Sequence, residues 1–182
     1  MDSPHIELDP TFAPEHEALF GWLLANVVWD ETMRSRKTAS FGLPYDYSGI
    51  HYPRVPMPAC LVGLAERLRP RLGYTPNNCL VNFYETGERS MGFHSDSQAS
   101  VVPGTDVSIV SLGATRTLRF KHKTSRLQCD YALSPGSLVV MRPASQEDWL
   151  HALPPEPGAG PRISVTFRLL ADPGFSPEGT AL

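Results

Sequence analysis

A mainly β fold, of the sandwich or jelly-roll kind, is predicted by three observations. Glycine and proline number 14 and 18 in 182 residues, roughly 18% against a usual level near 12%. Such frequent chain reversal suits short strands better than a helix bundle. From Asn78 onward the apolar period is two, and turn signals punctuate it at Thr86-Gly87, Pro103-Gly104, Pro135-Gly136 and Gly158 to Pro161. Short, closely spaced strands of this kind pack as sandwiches or barrels.

Two helices are expected ahead of the strands. Glu15 to Val28 carries Leu19, Trp22, Leu23 and Asn26 at helical spacing, with Pro14 at a first-turn position. Pro58 to Leu72 carries Leu61, Leu64, Ala65 and Leu68, and Pro70 is expected to end or kink it. The Tyr-, Pro- and Gly-rich stretch Phe41 to Pro58 between them reads as loop or short hairpin. The expected strands are Cys79–Tyr84, Val107–Leu112, Arg116–His122, Leu127–Leu133, Ser137–Met141 and Ile163–Leu169. The two helices would cover one sheet. No internal repeat is visible, and the length fits a single domain.

Composition narrows the class. Apolar residues are 41% and charged residues 19%, a globular balance. No apolar run reaches the ~18 residues of a membrane span, so no membrane partner is expected, and no obligate protein partner is evident. Met1-Asp2-Ser3-Pro4-His5 lacks the basic start of a secretory leader. Three separated cysteines, Cys60, Cys79 and Cys129, form no CxxC, which leaves neither a zinc ribbon nor a disulfide framework. A cytoplasmic setting is expected. The net charge of −3 hides a pattern. Residues 1–33 hold seven acids and no Lys or Arg, residues 34–71 seven bases against two acids, and residues 116–126 five bases and no acid. Clustered bases permit an anionic partner; scattered solvated charge is the plainer reading.

The chemistry starts at His94-Ser95-Asp96. On an extended segment residues i and i+2 share a side, so imidazole and carboxylate can meet one ion. His151 follows 57 residues later. Two His and one carboxylate can take one face of an octahedron and leave the rest open, which suits non-haem Fe(II) handling oxygen. Alone, an HxD more often lies on the surface with both side chains in water. Arg162 to Arg168 alternates strictly: Arg162, Ser164, Thr166 and Arg168 on one face, Ile163, Val165 and Phe167 on the other. The polar face either meets solvent or lines a barrel, where guanidiniums can hold a dicarboxylate. Asn82 and Tyr84 also share a face.

These residues make the sequence resemble the AlkB family of Fe(II)- and 2-oxoglutarate-dependent dioxygenases. The resemblance rests on Asn82-Phe83-Tyr84, His94-Ser95-Asp96, His151 and Arg162 to Arg168, and runs from about residue 34 to about residue 170. It implies a double-stranded β-helix, a distorted jelly roll, over residues 78–170. It implies His94, Asp96 and His151 as iron ligands and Arg162 on the distal carboxylate of 2-oxoglutarate, with Tyr84 beside it. Asn82 and Arg168 would hold the cosubstrate or the Asp96 region. Ser164 stands where many relatives carry Asn. With O2, 2-oxoglutarate would go to succinate and CO2 while an N-alkyl group is oxidised and leaves as an aldehyde.

In that family the substrate is usually an alkylated base extruded from DNA or RNA, which would place the protein with nucleoid or nuclear DNA as well as in cytoplasm. Residues 34–58 resemble a nucleotide-recognition lid. By the resemblance Tyr47 stacks on the base opposite His94, and Tyr45 touches the base edge. Arg34, Arg36 and Lys37 would reach phosphates, as bases flanking an aromatic platform do. Read without the family, the tyrosines are buried loop residues. Gln98 stands where repair members commonly carry an acid, which points to a neutral adduct, another base, or no base at all. Two alternatives stay open: an oxygenase of a small metabolite or protein side chain, and a non-enzymatic jelly-roll binding module.

Overall fold

The computed structural model describes residues 3–45, 49 and 51–172. In chain order the elements are β1 (Ile6–Asp9), α1 (His16–Asn26), β2 (Lys37–Gly42), α2 (Ala59–Leu72), β3 (Asn78–Tyr84), β4 (Met91–His94) and β5 (Val107–Gly113). They continue as β6 (Arg116–His122), β7 (Gln128–Leu133), β8 (Leu138–Met141), α3 (Pro143–Asp148), β9 (Trp149–Leu153) and β10 (Arg162–Arg168). Among the described residues the strands form a six-stranded sheet, β1-β8-β5-β10-β3-β2, and a four-stranded sheet, β4-β9-β6-β7. Every pairing is antiparallel. This is the jelly roll that the spacing predicts. No helix among the described residues is long and apolar enough to cross a membrane.

The alternation of β10 organises the molecule. Ile163, Val165 and Phe167 point outward and are fully buried against Leu19 and Leu23 of α1 and Leu61, Leu64, Ala65 and Leu68 of α2. Both helices therefore cover the six-stranded sheet, as expected. The opposite face, Arg162, Ser164, Thr166 and Arg168, points between the sheets, and none of the four is more than 5% exposed. It is a barrel lining, not a solvent face. Deeper between the sheets Val107, Ile109, Leu118, Phe120, Val139, Met141 and Trp149 pack into a second core.

Several elements differ from the sequence reading. Trp22 is 40% exposed and Asn26 is also exposed; the buried stripe of α1 is Leu19, Leu23 and then Val27. Strict i, i+4 spacing keeps those three on one face and turns Trp22 off it. Pro70 does not stop α2. The helix runs to Leu72 and closes on Gly73, left-handed at φ 83°, whose N–H reaches the Arg69 carbonyl. The strands β1, β4 and β9 and the helix α3 are short and carry no clean alternation.

The largest difference lies in the stretch read as a lid. Lys37–Gly42 is the edge strand β2, paired along β3 from Lys37↔Phe83 to Gly42↔Asn78. Its small residues Thr38, Ala39 and Ser40 are buried, so this part of the stretch belongs to the sheet. Gly42 ends the strand at φ 83°, where an added Cβ would stand 2.1 Å from the Asn77 carbonyl oxygen. Left-handed backbone costs an L-residue about 1–2 kcal/mol before any clash. Gly42→Ala is therefore expected to lower stability by about 2 kcal/mol or more, read as a fall in the denaturation midpoint; an unchanged midpoint would contradict this turn.

Candidate active site

Strand pairing assembles the candidate metal ligands. β4 and β9 place His94 directly opposite His151, with ring centroids 4.2 Å apart. Two residues beyond His94, Asp96 turns into the same space and is 6% exposed. One ligand atom from each of His94, Asp96 and His151 lies within 4.8 Å of the others. The His94 Nδ1 is 2.9 Å from the Gly92 carbonyl. A carbonyl only accepts, so Nδ1 carries the proton and Nε2 keeps the lone pair that a metal needs.

The electrostatics favour a cation. Burial alone would raise the Asp96 pKa, but Arg168, His151 and His94 outweigh it and hold the carboxyl below its usual range. Arg168 Nη2 donates to Asp96 Oδ1 at 2.9 Å, both groups being almost fully buried. Burial pushes His151 down to about 4, opposed by Asp96 and reinforced by His94 and Arg168. Burial likewise lowers His94. The set is thus one carboxylate and two neutral imidazoles, the protonation state of a divalent site.

This has a consequence for stability. A histidine that is free in the unfolded chain takes its proton near pH 6.5, whereas His151 resists until about 4. Between these values the unfolded state binds more protons, so stability falls as pH falls. Metal-free protein is expected to lose thermal stability from pH 6.5 toward 4, with a shallower slope in His151→Gln. An identical slope in the variant would contradict a neutral buried His151.

At the other end of the pocket sits Arg162. Register sets it beside Tyr84 on β3 and Gly113 on β5. Its Nε donates to Ser111 Oγ at 2.9 Å, and its guanidinium lies 5.8 Å from the Tyr84 ring centre. Burial pushes its pKa down to about 10. Among the described residues no carboxylate lies within ion-pairing distance of it. A buried cation without a protein anion is a seat for an anionic ligand. The pocket that contains it also contains His94, Asp96 and His151, along with Asn82, Ser164 and Met91.

A family model described as the 2OG-Fe(II) oxygenase superfamily matches residues 25–168. The alkB homolog 3 of Mus musculus, an alpha-ketoglutarate-dependent dioxygenase, is 32% identical over 198 residues, covering 94% of this chain and 68% of the relative. The chain belongs to the AlkB family. The DNA oxidative demethylase ALKBH2 is 33% identical in Mus musculus, over 77% of this chain and 63% of the relative. In Homo sapiens it is 31% identical, over 77% of this chain and 58% of the relative. The chain thus spans less than two thirds of the length of these ALKBH2 relatives. A solved structure of OsALKBH1 covers 92% of this chain at TM-score 0.66 and 17% identity, which supports the fold. Fe(II), 2-oxoglutarate and O2 are the cofactor and cosubstrates of this AlkB oxygenase class, and the residues fit them: His94, Asp96 and His151 for the metal, an anion-free Arg162 for a carboxylate.

Other residues singled out in the AlkB-like sequence are placed unevenly. Asn82 and Ser164 face each other across β3 and β10, both buried in the pocket. Asn82 Oδ1 accepts from Arg36 Nε at 2.8 Å. Arg36 is 7% exposed and lines the pocket, so it is not the surface contact expected for phosphates; the register of β2 turns it inward. Its neighbour Lys37 faces out and pairs with Glu31 at 2.8 Å and Glu85 at 3.0 Å, which balances the charge of that one member of the expected basic rim. Arg34 is exposed, and its carbonyl accepts from Arg89.

Tyr45 is 1% exposed, under the Arg168 guanidinium at 4.2 Å, and donates to the Ser97 carbonyl at 3.2 Å. It supports the Asp96 region from beneath, and its burial does not suit the base-edge contact expected of it. Gln98 is exposed, donates to the Asp96 carbonyl at 3.3 Å and does not line the pocket. Tyr47 lies outside the described residues. Two residues were missed: Ser111, which holds Arg162, and Gln146, which contacts Asp96. Neither carries a motif. Ser111 sits in β5, which carries serines on both faces at 108 and 111, so apolar alternation gives no signal.

Proposed function

We propose that this protein catalyses Fe(II)- and 2-oxoglutarate-dependent oxidative dealkylation of N-alkylated nucleobases in DNA or RNA, giving succinate, CO2 and an aldehyde. The observation that carries the reaction type is the single pocket with a His-Asp-His face at one end and an anion-free buried Arg162 at the other. The substrate class is supported by relatives that are named DNA oxidative demethylases.

In this reading His94, Asp96 and His151 hold Fe(II). Arg162, fixed by Ser111, takes the distal carboxylate of 2-oxoglutarate, with Tyr84, Asn82 and Ser164 shaping its seat. Arg168 keeps Asp96 ionised and oriented. When bound, Fe(II) and 2-oxoglutarate supply oxidation of a C–H bond by O2. The chain's part is to dehydrate the pocket, to hold the imidazoles neutral and to place the N-alkyl carbon. The oxidised carbon is a hemiaminal, and loss of aldehyde leaves the N–H base. Tyr47 stacks the base against His94, and exposed Arg34 contributes a phosphate contact. One domain carries the whole site, in whichever of cytoplasm, nucleoid or nucleus holds the substrate.

The test is succinate release across methylated and etheno-modified oligonucleotides beside small amines and amino acids, with products weighed by mass spectrometry. Turnover confined to an alkylated oligonucleotide is expected. Turnover with a small amine or amino acid and none with any oligonucleotide would overturn the nucleic-acid reading.

A further inference from the structure

The helix α3 joins β8 to β9 and has no part in the oxygenase pattern of His, Asp and Arg, yet it delivers a buried carboxamide to the metal ligand. Gln146 is 6% exposed. Its Oε1 accepts the backbone N–H of Asp96 at 3.0 Å. Only the oxygen of a carboxamide can accept, which fixes the amide's orientation and turns Nε2 the other way. There Nε2 stands 3.4 Å from Asp96 Oδ2 and 3.7 Å from Met141 Sδ. One side chain thus grips Asp96 at both its backbone and its carboxylate. Arg168 takes the other carboxylate oxygen, Oδ1.

The backbone of Gln146 is itself pinned from the end of the neighbouring strand, β6, which pairs with β9. Lys123, after β6, donates through Nζ to the carbonyls of Gln146 at 2.9 Å and Glu147 at 2.6 Å. These are among the last carbonyls of α3, which have no partner within the helix. Asp96 follows β4 outside any strand, so sheet hydrogen bonds do not hold it as they hold His94 and His151. Without Gln146 its buried N–H would lack its acceptor, and the carboxylate would be free to swing about Arg168.

We propose that Gln146 is a positioning residue that locks Asp96 in the rotamer facing His94 and His151, and so sets metal affinity without touching the metal. The inference rests on the metal reading of the triad. Partners of metal ligands typically change affinity 10- to 100-fold when removed. Gln146→Met keeps length and volume and removes both bonds.

The experiment is calorimetric titration of the metal-free chain with Mn(II), used as a redox-stable stand-in for Fe(II), in wild type, Gln146→Met and Asp96→Asn. Amide hydrogen exchange at Asp96 and apo melting temperature are read on the same samples. Wild type is expected to bind one Mn(II), Asp96→Asn to lose it, and Gln146→Met to bind 10- to 100-fold more weakly, with faster exchange at Asp96. If Gln146→Met fails to fold, Gln146→Asn, one methylene too short for the double grip, is expected to weaken binding in the same direction. Wild-type affinity in a folded Gln146 variant would overturn the positioning role. Equal loss of apo stability with unchanged Mn(II) affinity would make Gln146 merely structural and also overturn it. Failure of the wild type to bind, or no effect of Asp96→Asn, would instead overturn the metal reading.

Discussion

Asp96→Ala is expected to abolish iron-dependent succinate formation. The site offers one carboxylate between two imidazoles, within 4.8 Å of both; without it two neutral rings face a divalent cation beside the Arg168 guanidinium. Alanine also breaks a buried ion pair. Removing one partner of such a pair costs on the order of 3–5 kcal/mol, so part of any loss in Asp96→Ala is folding. Asp96→Asn separates the two effects, because it keeps the shape and a hydrogen-bond acceptor for Arg168 but not the charge. It is expected to be folded and equally inactive, while His51→Ala and His122→Ala keep activity. Unchanged turnover in both Asp96 variants would remove the assignment.

Arg162→Ala is expected to raise the 2-oxoglutarate dissociation constant by roughly 30-fold or more. Truncating one partner of a buried charge pair costs about 2–5 kcal/mol, and 1.4 kcal/mol is tenfold. Arg162→Lys is expected to recover little, since an ammonium cannot present the planar fork that meets a carboxylate at two points. The stability arm behaves differently from that of Asp96. Arg162 is desolvated and without a protein carboxylate, its pKa pushed down to about 10 by burial, so its charge costs the unliganded fold. Arg162→Met is expected to melt no earlier than wild type without ligand, and to lose the rise in melting temperature that 2-oxoglutarate gives to wild type. An unchanged dissociation constant in Arg162→Ala would mean that another cation holds the acid.

What the sequence made legible follows from periodicity. In β10 one face is packed on helices and the other lines a pocket, so strict alternation survives and Arg162 and Arg168 can be read as sharing a face. In β3 the same logic places Asn82 beside Tyr84. Alternation fails where a strand is short or, as in β5 with Ser108 and Ser111, carries polar residues on both faces. β4 is four residues with a glycine, and only pairing with β9 shows that His94 meets His151. β2 was illegible for another reason: a run of two bases followed by Thr, Ala and Ser resembles a polar lid, and only the sheet register shows Arg36 turned inward and Lys37 outward. Gln146 could not be read at all, because its function depends on a six-residue helix meeting a loop 50 residues earlier.

The most direct test of the central claim is the ratio of formaldehyde to succinate released from one methylated oligonucleotide in a single reaction. Coupling of decarboxylation to demethylation in one pocket predicts equal amounts of both, each lost together in Asp96→Asn. Formaldehyde formed without succinate, or equal release that survives Asp96→Asn, would contradict it.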